Sequence, residues 1–411
     1  MQLKLAIAIV VVGRVAAAQA PGEAPPPAAP AETTSSDEPL TGTARMGYYS
    51  DSDRTDVLRM LTAVAKEFGQ WSGNASFTID AVTSASVDVK SSPLGAVDVV
   101  TSASGQNTTK GGEMSDTRTL GTAGVGWKDS DGHALNLVGA VASERDYDSL
   151  TGGLNGSYDV DDRTTTLLAG ASVTDNWVGS VLDPRLHHKR FTASWSAGVA
   201  HVLTPDDALR LRYDGKYDSG YMASPYRNVR FGDWTTSIGV GGMIQFMNTL
   251  GSDAGLPEKL PQHRLANAVT LEWVHALWLG IGLHPSLRAS YDSWGIASIT
   301  PSLDARLVHG RWRFDVGYRY YAQTHANFYA ERYTMDPSAY EFYTSDKELS
   351  REHGGVFSVD IVDILHEPAE IGGRRWLLTF HIDRADYAYR DFALLASRNS
   401  TFVQAGIGCE L

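Results

Sequence analysis

The stretch LRLRYDGKYD, Leu209–Asp218, alternates strictly between two kinds of side chain. Its odd-numbered positions are apolar, aromatic or glycine, and its even-numbered positions are all charged: Arg210, Arg212, Asp214, Lys216 and Asp218. Successive side chains of a β-strand point to opposite faces of the sheet. The stretch therefore predicts a strand with one apolar and one charged face, and the charged face meets either external water or water inside a barrel.

The same alternation, with a period of two residues, recurs along the chain. It is clear in Ala75–Val82, Leu283–Asp292, Arg311–Tyr321 and Thr401–Leu411. Amphipathic helices would space apolar residues three and four positions apart, and these stretches do not. We predict an all-β chain of about sixteen strands, with fourteen or eighteen as the alternatives. The predicted strands are residues 43–50, 55–68, 72–84, 117–128, 133–144, 150–160, 163–174, 190–203, 206–218, 263–277, 280–292, 297–308, 311–323, 352–365, 374–387 and 398–411.

Long and short connectors fall at opposite ends of the predicted strands. If the strands run up and down, the connectors 85–116, 175–189, 219–262 and 324–351 all leave from one end, whereas the other end has mostly tight turns. Outer-membrane barrels show this asymmetry. We therefore predict an antiparallel up-and-down transmembrane β-barrel over residues 42–411, because closure of the sheet leaves no unpaired backbone edge in lipid.

In such a barrel the charged faces of the strands point inward and carry both signs of charge. They line a pore and tune its ion preference, or they neutralise one another in a filled interior. Connector 219–262 is the candidate for a plug, although its segment Thr235–Phe246 is alternatively a further strand pair that raises the strand count to eighteen. The predicted inward charges are Arg210, Arg212, Asp214, Lys216, Asp218, Arg288, Asp292, Asp304, Arg306, Arg311, Arg313, Asp315 and Arg319.

Aromatic residues cluster near both ends of the predicted strands. Tryptophan and tyrosine rings prefer the membrane–water boundary, so a barrel in lipid is expected to carry two aromatic belts. The alternative is that these rings fill the ends of a soluble core. The tryptophans beside the short turns are Trp71, Trp127, Trp278, Trp312 and Trp376. The aromatic residues near the opposite strand ends are Tyr48, Tyr49, Tyr147, Tyr217, Trp294, Tyr321 and Tyr387.

The first residues have the pattern of an export signal. Lys4 precedes an apolar run, and small residues follow it, which predicts a secretory signal peptide over residues 1–18. Residues 19–41 are rich in proline and alanine and lack apolar periodicity, so they are predicted to be a disordered periplasmic linker. Together with the barrel pattern, this signal predicts localisation in the outer membrane of a Gram-negative bacterium.

Composition narrows the possible classes of protein. The formal net charge of −13 argues against a nucleic-acid partner, which requires a basic face. Beyond the N-terminal segment, no apolar run is long enough for a membrane-spanning helix. The single cysteine, Cys409, excludes an internal disulfide and a cysteine metal cluster.

Three acidic clusters offer candidate metal ligands. They are Asp51–Asp56, Asp129–Gly132 and Asp159–Asp162, each with carboxylates one or two residues apart. None has the full calcium-loop spacing with its terminal glutamate. Aspartate and glycine are also the ordinary residues of tight turns, so we predict turns and no bound metal.

Histidine residues offer candidates for nucleophilic catalysis. His187 and His188 are adjacent in a long connector, where neighbouring side chains of an extended chain point apart. His284 and His381 share the polar faces of their strands, where interior hydrogen bonding is the simpler interpretation. No nucleophile elbow is present. We therefore predict no enzymatic activity and no cofactor.

Several stretches resemble a proteobacterial family of predicted outer-membrane β-barrels of unknown function. They are ARMGYYSDSDRTDV (Ala44–Val57), ERDYDSLTGGLNGSYDVDDRTTTLLAGASVTDN (Glu144–Asn176), SPYR (Ser224–Arg227) and YRYYAQTHANFY (Tyr318–Tyr329). These stretches are patterns of strands and turns and carry no catalytic signature. The resemblance therefore implies a fold and a location, and no substrate.

The resemblance spans most of the chain, from about Thr43 to Leu411. It implies that outer-membrane lipid and the barrel insertion machinery are partners. Such barrels commonly end in an aromatic residue that this machinery reads, whereas this chain ends in leucine, so less efficient insertion is expected.

These patterns predict a barrel that passes small polar solutes through a mixed-charge interior. One alternative is a structural or scaffold barrel that anchors a periplasmic or surface partner through its linker or long loops. A second alternative is an outer-membrane enzyme, which requires a cluster of histidine, serine or aspartate at the rim. The sequence leaves the solute, the ion preference and the oligomeric state open.

Overall fold

The structure, a computed structural model, describes nine segments of the chain. They are residues 40–84, 114–180, 183–232, 234–238, 244–248, 255–278, 280–365, 376–392 and 394–410, with 234–238 and 244–248 described as backbone only. The predicted signal peptide, residues 1–18, lies outside these segments, as does nearly all of the predicted linker, residues 19–41.

Sixteen antiparallel strands close into one barrel, which confirms the predicted fold class. Each strand pairs with its neighbours in chain order, and the last pairs with the first, so that Thr41 lies opposite Glu410. Every predicted strand is present, with ends shifted by a few residues at most. The strands are β1 Thr41–Asp51, β2 Thr55–Phe68, β3 Trp71–Ser84, β4 Met114–Lys128, β5 Ala134–Ser143, β6 Tyr147–Val160, β7 Thr165–Val178, β8 His188–Thr204, β9 Asp207–Gly220, β10 His263–Trp278, β11 Ile281–Asp292, β12 Ala297–His309, β13 Trp312–Gln323, β14 Glu352–Leu365, β15 Trp376–Tyr389 and β16 Ser397–Glu410.

The two faces of the sheet differ in polarity along every strand. On β9, Leu211 is 48% exposed and Tyr213 is 38% exposed, whereas Asp218 on the other face is 5% exposed. Large exposed apolar side chains recur on the outer faces of the other strands, and most of the buried polar residues lie on the inner face. The barrel is therefore apolar outside and polar inside, the inverse of a soluble β-protein.

The two ends of the barrel also differ. Odd-numbered strands end at what we call the long-loop end, where the connections 85–113, 179–187, 221–262 and 324–351 leave the barrel. Even-numbered strands end at the short-turn end. The four connections predicted to be long therefore all lie at one end.

Glycine allows the tightest connections at the short-turn end. Gly69 and Gly310 have φ values of +65° and +58° in two-residue turns, β2 to β3 and β12 to β13. Two-residue hairpin turns favour positive φ because their twist then matches the strands, and glycine adopts such angles without a steric penalty.

The predicted extra strand pair forms, but outside the barrel. Trp234–Ile238 pairs with Ile244–Asn248 as a separate two-stranded sheet. The alternative in which this pair joins the barrel and raises the strand count to eighteen is therefore wrong, because β9 pairs directly with β10 and leaves no gap for it. Among the described residues, no helix is both long and apolar enough to cross a bilayer.

Candidate functional site

Two guanidinium groups share the carboxylate of Asp214 on the inner wall. Arg212 lies 2.6 Å from one carboxylate oxygen and Arg288 lies 2.8 Å from the other, although β10 separates their strands. Arg288 also donates to the hydroxyl of Thr270 on β10, at 3.3 Å. One negative charge therefore faces two positive charges at this point of the wall.

A second shared carboxylate lies nearer the short-turn end. Asp315 on β13 contacts Arg306 at 2.5 Å and Arg313 at 3.1 Å. The other inward arginines differ in their partners. Arg210 pairs with Glu272 at 3.1 Å, whereas Arg319 makes no ion pair with any carboxylate in the described part of the chain.

The remaining predicted inward charges pair simply or lie at a turn. Lys216 pairs with Asp218 at 3.1 Å, and Asp292 pairs with Arg264 at 2.5 Å. Asp304 lies opposite His284 across β11 and β12. Arg311 stands in the turn before β13, where it pairs with Asp363 at 2.9 Å.

His381, which the sequence placed on a polar strand face, lies between two carboxylates. Its Nδ1 is 2.7 Å from Asp360, and its Nε2 is 2.9 Å from Asp383. Only a doubly protonated imidazole has a proton on each nitrogen for these two neighbours. The arrangement makes His381 a cationic link between β14 and β15.

Neighbouring strands continue these contacts into one register row around the wall, from Arg306 on β12 to Arg118 on β4. Because the strands are tilted, this row runs from the short-turn end of the barrel at β12 to the long-loop end at β4. Four ion pairs lie along the row or at its end. These pairs are Arg306–Asp315 at 2.5 Å, His381–Asp360 at 2.7 Å, Arg59–Asp80 at 2.7 Å and Arg118–Glu144 at 3.3 Å. The row itself is Arg306, Asp315, Asp360, His381, Gln404, Gly47, Arg59, Asp80 and Arg118.

The inner wall over β4–β8 has a different character. Between its two ends it carries mostly glycine, alanine, serine, threonine and asparagine instead of charged residues. In a closed barrel of sixteen strands these five strands face β12–β16. A wall of small neutral side chains therefore faces a wall that carries charged side chains of both signs, such as Arg313, Asp315 and Asp383. One register row of the small wall is Gly124, Val138, Gly153, Ser172 and Ser194.

Loops fold into a structured unit over the long-loop end. We call residues 221–232, 255–262 and 324–351 the loop assembly. It contains two apolar clusters, and the first includes Trp294 from the β11–β12 turn. The first cluster is Trp294, Ile296, Ala326, Tyr329 and Leu349, and the second is Val229, Tyr333 and Tyr343 with Phe231 and Tyr340 against it.

Glu258 joins the three parts of the loop assembly. Its carboxylate accepts hydrogen bonds from the Ser224 N–H at 2.5 Å and from the Thr344 hydroxyl at 2.7 Å, and Arg227 lies 3.4 Å away. Burial raises the pKa of Glu258, and the neighbouring guanidinium acts in the opposite direction. Arg227 also pairs with Asp346 at 2.9 Å.

The loop assembly is attached to turns on widely separated strands. The Tyr226 hydroxyl donates to Asp146 in the β5–β6 turn. The Tyr329 hydroxyl donates to the carbonyl of Asp391 in the β15–β16 turn, at 2.6 Å. The described parts of the predicted plug, connector 219–262, therefore lie across the long-loop end as part of this unit.

Glu144 lies in the same turn as Asp146 and is deeply buried. Its side chain has no exposed surface, and Arg118 is 3.3 Å away. The pKa of Glu144 is raised to about 8, chiefly by burial; Arg118 acts to lower it, and Asp116, Asp146 and Asp80 act with burial to raise it. Most Glu144 side chains are therefore protonated at neutral pH.

We expect replacement of Glu144 by glutamine to flatten the pH dependence of barrel stability. Between pH 4.5 and about 8 the unfolded chain releases the Glu144 proton while the folded protein keeps it, so wild-type stability falls as the pH rises through this window. Thermal unfolding of the detergent-folded barrel at intervals from pH 5 to pH 8 measures the effect.

The matched control for this measurement is Glu341→Gln, an exposed glutamate of the loop assembly. It should keep the wild-type pH slope. Equal slopes for Glu144→Gln and the wild type would show that Glu144 is already ionised in the folded protein.

The acidic clusters are turns in the structure. Asp129 Oδ1 accepts the backbone N–H groups of Asp131 and His133, both at 2.9 Å. Asp51 likewise accepts the Thr55 N–H at 2.9 Å. Asp129, Asp131 and His133 do lie close enough together to surround an ion. Their hydrogen bonds are nevertheless those of an ordinary aspartate turn.

The predicted aromatic belts divide between the two faces. Trp278 is 65% exposed and Trp71 is 51% exposed on the outside, near the short-turn end. Trp127, Trp312, Trp376, Tyr48 and Tyr217 also take outward positions. The remaining predicted belt residues pack inside the barrel or under the loop assembly and do not face outward. They are Tyr49, Tyr147, Trp294, Tyr321 and Tyr387.

Those inner rings follow from strand alternation near the long-loop end. Tyr48 is outward and 50% exposed, so its neighbour Tyr49 must point inward, and its hydroxyl donates to Asp51 at 2.9 Å. Tyr147 donates to Asn176 inside the barrel. A membrane belt stays a prediction for the outward rings.

Comparison with known proteins identifies a family and similar folds. A bacterial polysaccharide outer membrane secretin has 11% identity and a TM-score of 0.46, over 90% of this chain and 98% of that one. The siderophore receptor PirA from Pseudomonas aeruginosa has 10% identity and a TM-score of 0.40, over 86% of this chain and 57% of that one. The CymD monoaromatic hydrocarbon channel has 7% identity and a TM-score of 0.37, over 91% and 89%.

No curated protein sequence matches the chain. The family described as "Protein of unknown function (DUF3570)" matches residues 13–189 and 181–363. These two matches cover well over half of the chain, including the first thirteen strands of the barrel and most of β14. The chain therefore belongs to the DUF3570 family.

Proposed function

We propose that this protein spans the bacterial outer membrane and passes small polar solutes through its interior. The observation that carries the proposal is the contrast between the inner walls: small neutral side chains on β4–β8 face charged side chains on β12–β16. Barrels of about sixteen strands are wide enough for an aqueous channel. Small side chains on one wall keep that width from being filled.

The outer surface supports the membrane location. Large apolar side chains such as Leu137, Val141 and Leu271 are about half exposed on the outside of the barrel. Contact between this apolar surface and water is unfavourable in free energy, whereas contact with lipid hydrocarbon is not. Lipid and the insertion machinery are then the expected partners, with export by the signal peptide of residues 1–18.

The loop assembly supports restricted access at one end. It is attached at the β5–β6 and β15–β16 turns, so solutes that enter from the long-loop end must pass beside it. We propose that the long-loop end faces the cell exterior, because longer loops are external in outer-membrane barrels.

Two other roles receive less support. A scaffold barrel that anchors a partner is favoured by the folded loop assembly, whose apolar clusters give it a fixed outer shape. An enzymatic role is disfavoured at His381, because a carboxylate lies beside each of its ring nitrogens, Asp360 at 2.7 Å and Asp383 at 2.9 Å. A nucleophile at either nitrogen would compete with the carboxylate beside it.

Single-channel recording of the refolded protein in a planar bilayer tests the proposal. A heat-dependent shift in gel mobility first verifies that the barrel is folded. We expect steady conductance steps, because the small side chains of β4–β8 leave room for water in the interior. Silence from folded protein would contradict solute passage and favour the scaffold role.

A further inference from the structure

We propose that the middle of the β9–β13 inner wall is a binding band for small anions that carry a carboxylate or a phosphate. This inference rests on the proposed function and names the solute class. The band consists of two neighbouring register rows. They are Arg210, Glu272, Ser286, Ser302 and Arg319 in one row, and Arg212, Thr270, Arg288 and Thr300 in the other.

The band has an excess of positive charge. Its four arginines face one carboxylate within the two rows, Glu272, and one in the next row, Asp214. Glu272 balances Arg210, and Asp214 balances only one of its two arginines. Arg319 has no carboxylate partner among the described residues, so two positive charges are left over.

The wall on either side of the band is balanced. Towards the long-loop end, Lys216 and Asp218 form one pair, and Arg264 and Asp292 form another. Towards the short-turn end, Arg306 and Arg313 are matched by two carboxylates, Asp304 and Asp315. The positive excess of β9–β13 is therefore confined to mid-height.

The arginines are positioned to bind an anion. The side chains of Arg212 and Arg288 are each 39% exposed, so their guanidinium groups reach the interior water. The Cα atoms of Arg288 and Arg319 are two strands and one row apart, about 12 Å from ordinary strand spacing. When an anion binds, Arg288 leaves Asp214 to Arg212 and turns towards β13. The extended side chains of Arg288 and Arg319 then close the gap around one carboxylate or phosphate, which each arginine binds with two parallel hydrogen bonds.

Hydroxyl groups complete the band. Ser286 and Ser302 lie between the two arginines, with their hydroxyl oxygens 2.7 Å apart. Only one hydroxyl of the pair donates to the other, so the second proton is free to bind an anion. Opposite β12 and β13, the inner faces of β4 and β5 carry small neutral side chains at mid-height, namely Thr122, Gly124, Val138 and Ala140.

The test compares the wild type with the double variant Arg288→Gln/Arg319→Gln in two measurements. The first is the reversal potential under a KCl gradient. We expect the wild type to prefer chloride over potassium by about threefold or more, and the double variant to lose this preference. The second, which needs no conduction, is thermal stabilisation of the detergent-folded barrel by succinate and by inorganic phosphate at constant ionic strength.

Two further variants make the outcome specific. Arg185→Gln/Arg390→Gln removes two exposed arginines outside the strands and should behave as the wild type in both measurements. Arg288→Lys/Arg319→Lys keeps the charge and loses the bidentate geometry. It should keep the chloride preference and lose part of the succinate stabilisation, and it serves if the glutamine variant does not fold.

The outcomes separate this inference from the proposed function. A conducting channel that prefers potassium, with no stabilisation by either anion, would overturn the binding band and leave solute passage intact. A silent barrel that the anions stabilise through Arg288 and Arg319 would overturn passage and keep the band. Silence without stabilisation would overturn both.

Discussion

Replacing Glu258 with alanine should release the loop assembly while the barrel stays folded. Glu258 is 5% exposed and connects Ser224, Thr344 and Arg227. Its removal leaves the Ser224 N–H, the Thr344 hydroxyl and the half-buried Arg227 guanidinium each with one partner fewer. Breaking a buried ion pair from one side costs about 3–5 kcal/mol. The loss falls on a unit made of loops, which opens more readily than barrel strands.

Hydrogen exchange of the bridge between Lys259 and Tyr343 measures this release. Each of these residues donates its N–H to the carbonyl of the other, at 3.0 and 2.9 Å. Exchange of both amides should accelerate by about 100-fold or more in Glu258→Ala, as expected for that free energy. If the loop assembly restricts access, the conductance should rise as well.

Two variants separate the role of Glu258 from a general charge effect. Glu341→Gln removes a glutamate charge from an exposed position in the same unit and should leave exchange unchanged. Glu258→Gln keeps an acceptor for Thr344 and should fall between the wild type and Glu258→Ala. Wild-type exchange rates in Glu258→Ala would show that the apolar clusters alone hold the assembly together.

Replacing Leu211 with arginine should destabilise the barrel in lipid by about 2–4 kcal/mol. Leu211 lies on the outer face of β9, well inside the strand, and a charged residue on the lipid face near the bilayer midplane costs that much. Equilibrium unfolding by guanidinium chloride in lipid vesicles measures the change.

The matched control places the same charge on the inner face. Ser196 on β8 lies opposite Asp214 across the β8–β9 pair, so Ser196→Arg gains water and a carboxylate neighbour. We expect it to change stability far less than Leu211→Arg. Equal losses for the two variants would argue that the outer face does not meet hydrocarbon.

The strands could be predicted because their signal is local. The face on which a β9 side chain lies depends only on whether its position is odd or even. The alternation of Leu209–Asp218 was therefore sufficient to predict both the strand and its two faces. The inward charges on the strands followed from the same parity, whereas Arg311, predicted on that face, lies in the turn before β13. The pairing of the inward charges did not, since Arg288 reaches Asp214 across an intervening strand and only the barrel register brings them together.

The loop assembly could not be predicted from the sequence. Glu258 lies in a proline-flanked stretch without periodicity, and its partners Ser224 and Thr344 are 34 and 86 positions away. Tyr226 belongs to the SPYR stretch that resembles the family, but nothing in that stretch indicates a bond to Asp146. Contacts of this kind depend on tertiary geometry that strand patterns do not encode.

The pairing of the first and last strands has a consequence for the order of folding. Ser52 and Asn399, 347 positions apart, are joined by two hydrogen bonds at the junction of β1 and β16. Contacts so distant in sequence form late, since the loop they close carries a large entropic cost. Until they form, an almost complete sheet presents two bare edges that can pair with another chain. The time between completing β16 and meeting β1 is therefore the interval in which this protein is most exposed to aggregation.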